Sequence, residues 1–292
     1  MEERTLLFKD IFNKIVDDYN LTNADVSSIF GCSEYTVPSY KSGRTPISID
    51  KAVALRSFLK ESYNVDIYEK YIFEFDNEGF YFHGSRQGIK GEIVPDYVGA
   101  REKIDYGKGF YLGESFKQSS TFIAEEKEGK DRVYKFVFNT EGLKQKELKG
   151  LEWVFYVGYH RDKITNNKDN HKLIQQMKKI DNIGFDIISG PIADDKMSSN
   201  MEEFFADHLT YGQIIKCLTQ LSIGNQYCLK TNKACKRLEC VGIYIIDDAL
   251  RYLIREYASG QRNEAADSAT KIASSKDDGG LKFSELVKKY AK

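Results

Sequence analysis

Three short segments, far apart in the chain, constrain the fold more than any other feature of the sequence. They read FYFHGSR at 80–86, DYGKGFYLGES at 105–115 and NQYCLKT at 225–231. Each combines aromatic or β-branched residues with nearby glycine or polar turn residues, which is typical of a short strand beside a tight turn. Because helical patterns alternate with such strands from about residue 68 onward, the sequence predicts an α+β fold.

The same patterns predict the individual elements of this region. Strands are predicted at 81–83, 109–112, 133–138, 152–157, 185–189 and 226–230. Helices are predicted at 116–126, 170–180, 201–207, 210–221, 247–257 and 281–290. The polar stretch at 260–280 is predicted to be a flexible or weakly helical linker.

Residues 1–66 have a different sequence pattern, with apolar residues at helical spacing, and are predicted to be all helical. A first helix is predicted from Phe8 onward, where apolar residues recur at helical spacing. A second helix lies between Thr22 and Gly31, and a longer one is predicted at 49–63. The string LTNADVSSIFGCSEYTVPSYKSGRTPISIDKAVAL resembles the helix-turn-helix of the Cro/C1 type, in which the second short helix enters the major groove.

The use of this N-terminal region stays open between two roles. Pro38 falls midway through the segment that would read DNA, where it should kink or shorten the helix. Basic and acidic residues also balance over residues 1–60, which weakens a phosphate-binding role. The region could bind DNA, or it could dock a partner protein or serve the fold alone.

Composition excludes several classes of protein. The chain of 292 residues has 43 basic and 44 acidic residues, so no overall field attracts nucleic acid or a membrane surface. It contains no apolar run of membrane-spanning length, and its start lacks the layout of a signal peptide. Its five cysteines form no CxxC pair, which favours free thiols in a reducing compartment over disulfides or metal ligands. We therefore expect a cytoplasmic protein without a bound metal.

Taken together, the three segments resemble the three signatures of the ADP-ribosyltransferase fold. The resemblance is to its His-Tyr-Glu branch, that of diphtheria toxin and the poly(ADP-ribose) polymerases. The stretch from about 80 to 240 also resembles an uncharacterised bacterial family of ADP-ribosyltransferase-like proteins that carry glutamine in the third segment. The resemblance implies a split β-sheet core that takes NAD as a substrate and transfers its ADP-ribose.

Residues of the first two segments are assigned to NAD by this resemblance. It implies that His83 hydrogen-bonds a ribose hydroxyl, that the backbone of Gly84 holds the nicotinamide carboxamide, and that Tyr111 stacks on the nicotinamide ring. The other NAD-binding residues that it implies are Ser85, Gly109, Arg101 for the phosphates, Ser119 for the carboxamide and Phe122 for a second ring contact.

The third segment departs from the polymerase pattern. Where the polymerases have a catalytic glutamate, this chain has Gln226 between Asn225 and Tyr227. An amide can still hydrogen-bond a ribose hydroxyl, but it has no negative charge to stabilise a developing cation. We therefore expect mono-ADP-ribosylation and no polymer elongation, and we expect the substitution Gln226→Glu to be tolerated.

Two functions remain open. In the first, the protein is a toxin-like mono-ADP-ribosyltransferase of a bacterial toxin–antitoxin or phage-defence system. Its acceptor would be a protein or nucleic acid, and an antitoxin would be a partner. In the second, it is a helix-turn-helix regulator whose other domain senses NAD or a related nucleotide and is a weak catalyst. For both, we predict a helix-turn-helix domain at 1–66 that can be removed as a unit, an ADP-ribosyltransferase-like domain at 67–246, and C-terminal helices with a polar linker at 247–292.

Overall fold

The structure, a computed structural model, describes residues 3–74, 77–95, 104–124, 131–193, 198–218, 224–275 and 280–290. The chain packs into two compact units, each built from three separate segments. Unit 1 comprises Met1–Ile89, Ser115–Val137 and Cys240–Ser259. Unit 2 comprises Lys90–Glu114, Phe138–Glu239 and Gly260–Lys292. Helices and strands occur in both, so the α+β class is confirmed.

The described elements are as follows, in chain order. The helices are α1 (Phe8–Asp18), α2 (Asn23–Phe30), α3 (Val37–Lys41), α4 (Ile49–Tyr63), α5 (Phe116–Ile123), α6 (Gly150–His160), α7 (His171–Asn182), α8 (Ser198–Phe205), α9 (Tyr211–Leu218), α10 (Asn232–Cys235), α11 (Asp248–Ala273) and α12 (Phe283–Tyr290). The strands are β1 (Glu3–Leu6), β2 (Tyr81–Ser85), β3 (Phe110–Gly113), β4 (Arg132–Phe138), β5 (Gln145–Glu147), β6 (Ile187–Pro191), β7 (Asn225–Leu229) and β8 (Leu238–Ile246). Among the described residues, no helix is both long and apolar enough to cross a membrane.

Helix α2 begins and ends where capping chemistry predicts. The side chain of Thr22 accepts the backbone N–H of Asp25, and the Asp25 carboxylate accepts the N–H of Thr22 in return. This capping box starts α2, and Gly31 ends the helix with a φ of +58°. Pro38 lies in the first turn of α3, where a missing N–H costs little, and a 3₁₀ turn at Glu34–Thr36 precedes it. The predicted shortening of this helix is confirmed.

The prediction that 1–66 is all helical is wrong at its start. Residues Glu3–Leu6 form β1, which pairs in parallel with β8 from Glu3↔Ile243 to Leu6↔Ile246. A strand edge offers unpaired backbone groups that an extended segment from elsewhere in the chain can satisfy. The side-chain pattern of so short a segment could not reveal that partner. In unit 1 the strands lie in the order β1-β8-β4-β2, and β2 and β4 are antiparallel.

The core of unit 1 joins the N-terminal helices to later parts of the chain. Phe12 of α1 and Leu55 of α4 belong to the same hydrophobic cluster as Phe82 of β2, Phe116 of α5 and Leu253 of α11. All five side chains are fully buried. The compact unit therefore follows spatial packing and not the stretch of sequence at 1–66.

Unit 2 contains its own strands, in the order β3-β7-β6-β5. Strand β7 is antiparallel to both β3 and β6, and β5 runs parallel to β6. A second hydrophobic cluster, which includes Trp153, Phe204 and Leu286, fills this unit.

One prediction fails in the second half of the chain, and another is only partly right. Residues 152–157, predicted as a strand, lie in helix α6, where the side chains from Trp153 to Val157 are all buried. A continuous apolar run has no periodicity by which a buried helix differs from a buried strand. The predicted linker at 260–280 is helical in its first part, because α11 continues to Ala273 and buries Ala265 and Ala269.

Candidate functional site

The residues of the first predicted signature lie on β2, in unit 1. His83, Gly84 and Ser85 pair antiparallel with Tyr134, Val133 and Arg132 of β4. The ring centroids of His83 and Tyr134 are 6.4 Å apart. His83 is half-buried, and the β2–β4 ladder fixes the position of its backbone.

Gly84 lies in close contact with helix α5. A Cβ atom at this position would overlap the backbone carbonyl oxygen of Ser119 and would lie 2.7 Å from Cγ2 of Ile123. Ser119 itself is buried. The structure therefore brings together Gly84 and Ser119, two residues that the sequence assigned to the carboxamide of NAD.

Phe122, on the same helix, is placed differently. Its side chain is 49% exposed, and the guanidinium carbon of Arg86 lies 5.9 Å from its ring centroid. One guanidinium nitrogen of Arg86 also donates to the backbone oxygen of Phe122 at 3.4 Å. An exposed ring beside a cation is a surface that a planar ligand could stack on.

The second and third signatures lie on neighbouring strands of unit 2. In the β3–β7 ladder, Tyr111 is opposite Cys228 and Gly113 is opposite Gln226. Gly109 precedes β3, and a Cβ there would overlap Sγ of Cys228 and lie 2.9 Å from the carbonyl oxygen of Leu229. The glycine thus allows the two strands to approach at the turn.

Tyr111 is fixed by two hydrogen bonds at its hydroxyl. The hydroxyl donates to the carbonyl oxygen of Gly107 at 2.7 Å and accepts the backbone N–H of Tyr106 at 3.0 Å. The rings of Tyr106 and Tyr111 are nearly parallel, at 18°, with centroids 6.4 Å apart. Burial raises the pKa of Tyr111 well above its ordinary value, so the hydroxyl is neutral at physiological pH.

Gln226 is buried against a charged pair that the sequence did not reveal. Its amide nitrogen donates to Oδ2 of Asp105. Oδ1 of Asp105 accepts from Arg161, with Nε at 2.7 Å and Nη2 at 2.5 Å. Burial raises the pKa of Asp105, whereas Arg161, the N–H of Ala193 and the amide of Gln226 favour the ionised carboxylate.

The cluster of Asp105, Arg161 and Gln226 could not be predicted from the sequence, although two of its residues lie in the recognised segments. Asp105 begins the second segment, DYGKGFYLGES, but nothing in a single sequence distinguishes it from a turn residue. Arg161 directly follows α6, the helix that was predicted as a strand at 152–157. Arg101, predicted for the NAD phosphates, lies outside the described residues. Within the described ranges, no group of three or more His, Cys, Asp or Glu side chains is placed to hold a metal ion.

Comparison with known proteins identifies the family. The family model described as "Protein of unknown function (DUF3990)" matches residues 80–240, more than half of the chain. The protein belongs to this family, and the matched region contains all three segments. No curated protein and no solved structure matches the chain.

Proposed function

We propose that this protein is an NAD-dependent mono-ADP-ribosyltransferase with the ADP-ribosyltransferase fold in its His-Tyr-Glu branch. The observation that carries the proposal is the pairing of the second and third signatures. Tyr111 and Gln226 are more than a hundred residues apart in the chain, yet they lie on adjacent antiparallel strands, two register positions from each other. The contact of Gly84 with Ser119 adds support from unit 1, because the resemblance assigns both to one group of NAD.

The chemistry is cleavage of the bond between nicotinamide and ribose. The bonding electron pair leaves with nicotinamide, positive charge develops on the ribose, and a nucleophile of the acceptor attacks the anomeric carbon. In the proposal, Tyr111 stacks on the nicotinamide, the backbone of Gly84 holds its carboxamide, and His83 hydrogen-bonds a ribose hydroxyl. Such contacts favour reaction by holding the substrate in one orientation.

Gln226 contributes a neutral hydrogen bond to the ribose in this mechanism. A neutral amide stabilises the cationic transition state less than a carboxylate would, which favours single transfer over polymer elongation. The acceptor is a protein or a nucleic acid, and the biological setting that we propose is a bacterial toxin–antitoxin or phage-defence system in the cytoplasm, with an antitoxin as partner.

Labelled NAD tests the proposal directly. The full-length protein is incubated with NAD that carries the label on its adenylate part, alone and with a cell lysate. The expected result is covalent label on the protein itself or on a lysate macromolecule, together with release of free nicotinamide. Absence of both covalent label and nicotinamide release would overturn the proposed activity.

A second candidate function is that of a helix-turn-helix regulator with an NAD-sensing domain and weak catalysis. The observation that favours it is the succession of α2, a turn at Gly31, and the short α3, with Tyr35 almost fully exposed beside it. Reversible binding of the labelled NAD without covalent transfer, together with a sequence-selective DNA complex, would support this function over the first.

A further inference from the structure

The carboxyl group of Asp105 is the centre of a buried polar cluster in unit 2. Only 4% of the residue is exposed. Oδ1 accepts from the guanidinium of Arg161, and Oδ2 accepts from the backbone N–H of Ala193 at 3.1 Å and from the amide of Gln226. Arg161 is tied in place by a further hydrogen bond, from Nη2 to the carbonyl oxygen of Ala193 at 2.6 Å.

These contacts determine which way the amide of Gln226 faces. The neighbours of its nitrogen are Oδ2 of Asp105 and, at 3.5 Å, the carbonyl oxygen of Pro191. An ionised carboxylate and a backbone carbonyl only accept hydrogen bonds, so the NH₂ group must be the part that faces them. A carboxylate at position 226 would have no proton to donate and would place a second negative charge against Asp105.

We propose that Asp105 positions the side chain of Gln226. Because of Asp105, glutamine fits at position 226 and glutamate does not. The consequence for the ribose contact rests on the proposed function. The coupling of Asp105 with Gln226 is a property of the fold and is measurable without NAD. The proposal replaces the expectation from sequence that Gln226→Glu is tolerated.

The groups around Asp105 allow a clear pH test. Among the described residues, the charged or titratable side chains that interact electrostatically with it are Arg161, Tyr106, Tyr111 and Cys228. Burial raises the pKa of both tyrosines, and it raises that of Cys228 to about 11, so these three groups stay neutral near neutral pH. In Gln226→Glu, repulsion between the paired carboxylates should raise a carboxyl pKa. The stability of this variant should then be highest at low pH and should fall as pH rises through that pKa.

The decisive experiment uses a double variant in which the carboxylate is at position 226 and the amide is at position 105. The melting temperature of the full chain is measured for wild type, Asp105→Asn, Gln226→Glu and the double variant, at about pH 5 and about pH 8. We expect Asp105→Asn to lower Tm in the wild-type background, because Arg161 loses its carboxylate. In the Gln226→Glu background the same change should raise Tm by at least about 5 °C at pH 8. The reason is that the introduced asparagine amide can donate to the introduced carboxylate, which removes the repulsion between two carboxylates.

The opposite result is equally clear. If Asp105→Asn lowers Tm by the same amount in both backgrounds, the two side chains are independent and the proposal fails. Insolubility of Gln226→Glu at both pH values supports the proposal if the double variant is soluble, and contradicts it if the double variant is insoluble too. Absence of any greater Tm loss at pH 8 than at pH 5 in Gln226→Glu would also overturn it.

Gln213 provides a matched control. It is a buried glutamine of unit 2 whose amide oxygen accepts the backbone N–H of Thr210 at 2.9 Å and whose nitrogen donates to the carbonyl oxygen of Ser275. Gln213→Glu should lower Tm without any rescue by Asp105→Asn. NAD binding, measured calorimetrically on the same variants, separates the two proposals. If the wild type binds no NAD, the proposed function fails, whereas the Tm cycle still decides the role of Asp105.

Discussion

Gly84 and Ser119 lie so close together that no side chain fits between them. A Cβ atom on Gly84 would overlap the backbone oxygen of Ser119, and the backbone, unlike a flexible side chain, cannot move aside cheaply. The packing of β2 on α5 thus depends on the absence of a Cβ atom at Gly84.

Gly84→Ala should therefore destabilise unit 1, by about 1–3 kcal/mol as in other overpacked sites. Denaturant titration of the full chain measures the change. Gly260→Ala is the matched control, because Gly260 lies within α11 and nothing is within 4 Å of its Cβ position. That substitution should leave stability unchanged or raise it by up to about 1 kcal/mol. Equal effects of the two substitutions would argue against the close packing of Gly84.

Tyr111 allows the ring to be tested separately from the hydroxyl. Tyr111→Phe removes the bonds to Gly107 and Tyr106 and should cost about 1–3 kcal/mol of stability while retaining the ring. Tyr111→Ala also removes the ring and should lower NAD turnover about tenfold or more, as should His83→Ala. Nicotinamide release by soluble protein is the measurement. Turnover like that of wild type in either alanine variant would remove that residue from the proposed site.

Asp186 should make stability depend on pH. Burial by itself would raise its pKa, but donation from the Thr231 hydroxyl at 2.6 Å, the Lys144 N–H at 2.9 Å and the Lys233 amine at 3.4 Å outweighs burial and lowers it. A lowered carboxyl pKa adds stability above the unfolded-state pKa of about 3.9, and this stability is lost as pH falls through the folded pKa.

Asp186→Asn should accordingly reduce the free energy of unfolding at pH 7 and make a much smaller difference at about pH 3. Urea denaturation at the two pH values measures this. Asp169→Asn, at an exposed position, is the control and should change stability by less than about 0.5 kcal/mol at both. A deficit of Asp186→Asn that is as large at pH 3 as at pH 7 would contradict the ionised contact.

Removal of residues 1–66 tests whether the N-terminal helices fold together with the rest of unit 1. Because Phe12 and Leu55 share a core with Phe82, Phe116 and Leu253, we expect the truncated chain to lose cooperative unfolding of unit 1. It should also bind a hydrophobic dye that the full chain does not bind. A truncated protein with an unchanged melting temperature would instead show that 1–66 is a separable unit, as the sequence predicted.

The sequence by itself was sufficient where the determining contacts are local. The capping box of Thr22 and Asp25 and the left-handed Gly31 define α2 through residues a few positions apart. Glycine beside aromatic residues likewise located β2 and β3 to within two residues, because turns and alternating side chains leave a short-range pattern. The C-terminal end of α4, at Asn64 in the left-handed conformation, follows the same logic.

Tertiary structure alone decided the features that depend on distant partners. The run Trp153–Val157 is buried throughout, so it has no periodicity by which the sequence could indicate a helix. Strand β1 formed because the edge of β8 was available to pair with it. Asp105 and Arg161 are 56 positions apart, and only the fold brings them together under Gln226. A buried ion pair depends on desolvation and on geometry between remote segments, neither of which leaves a periodic mark in the sequence.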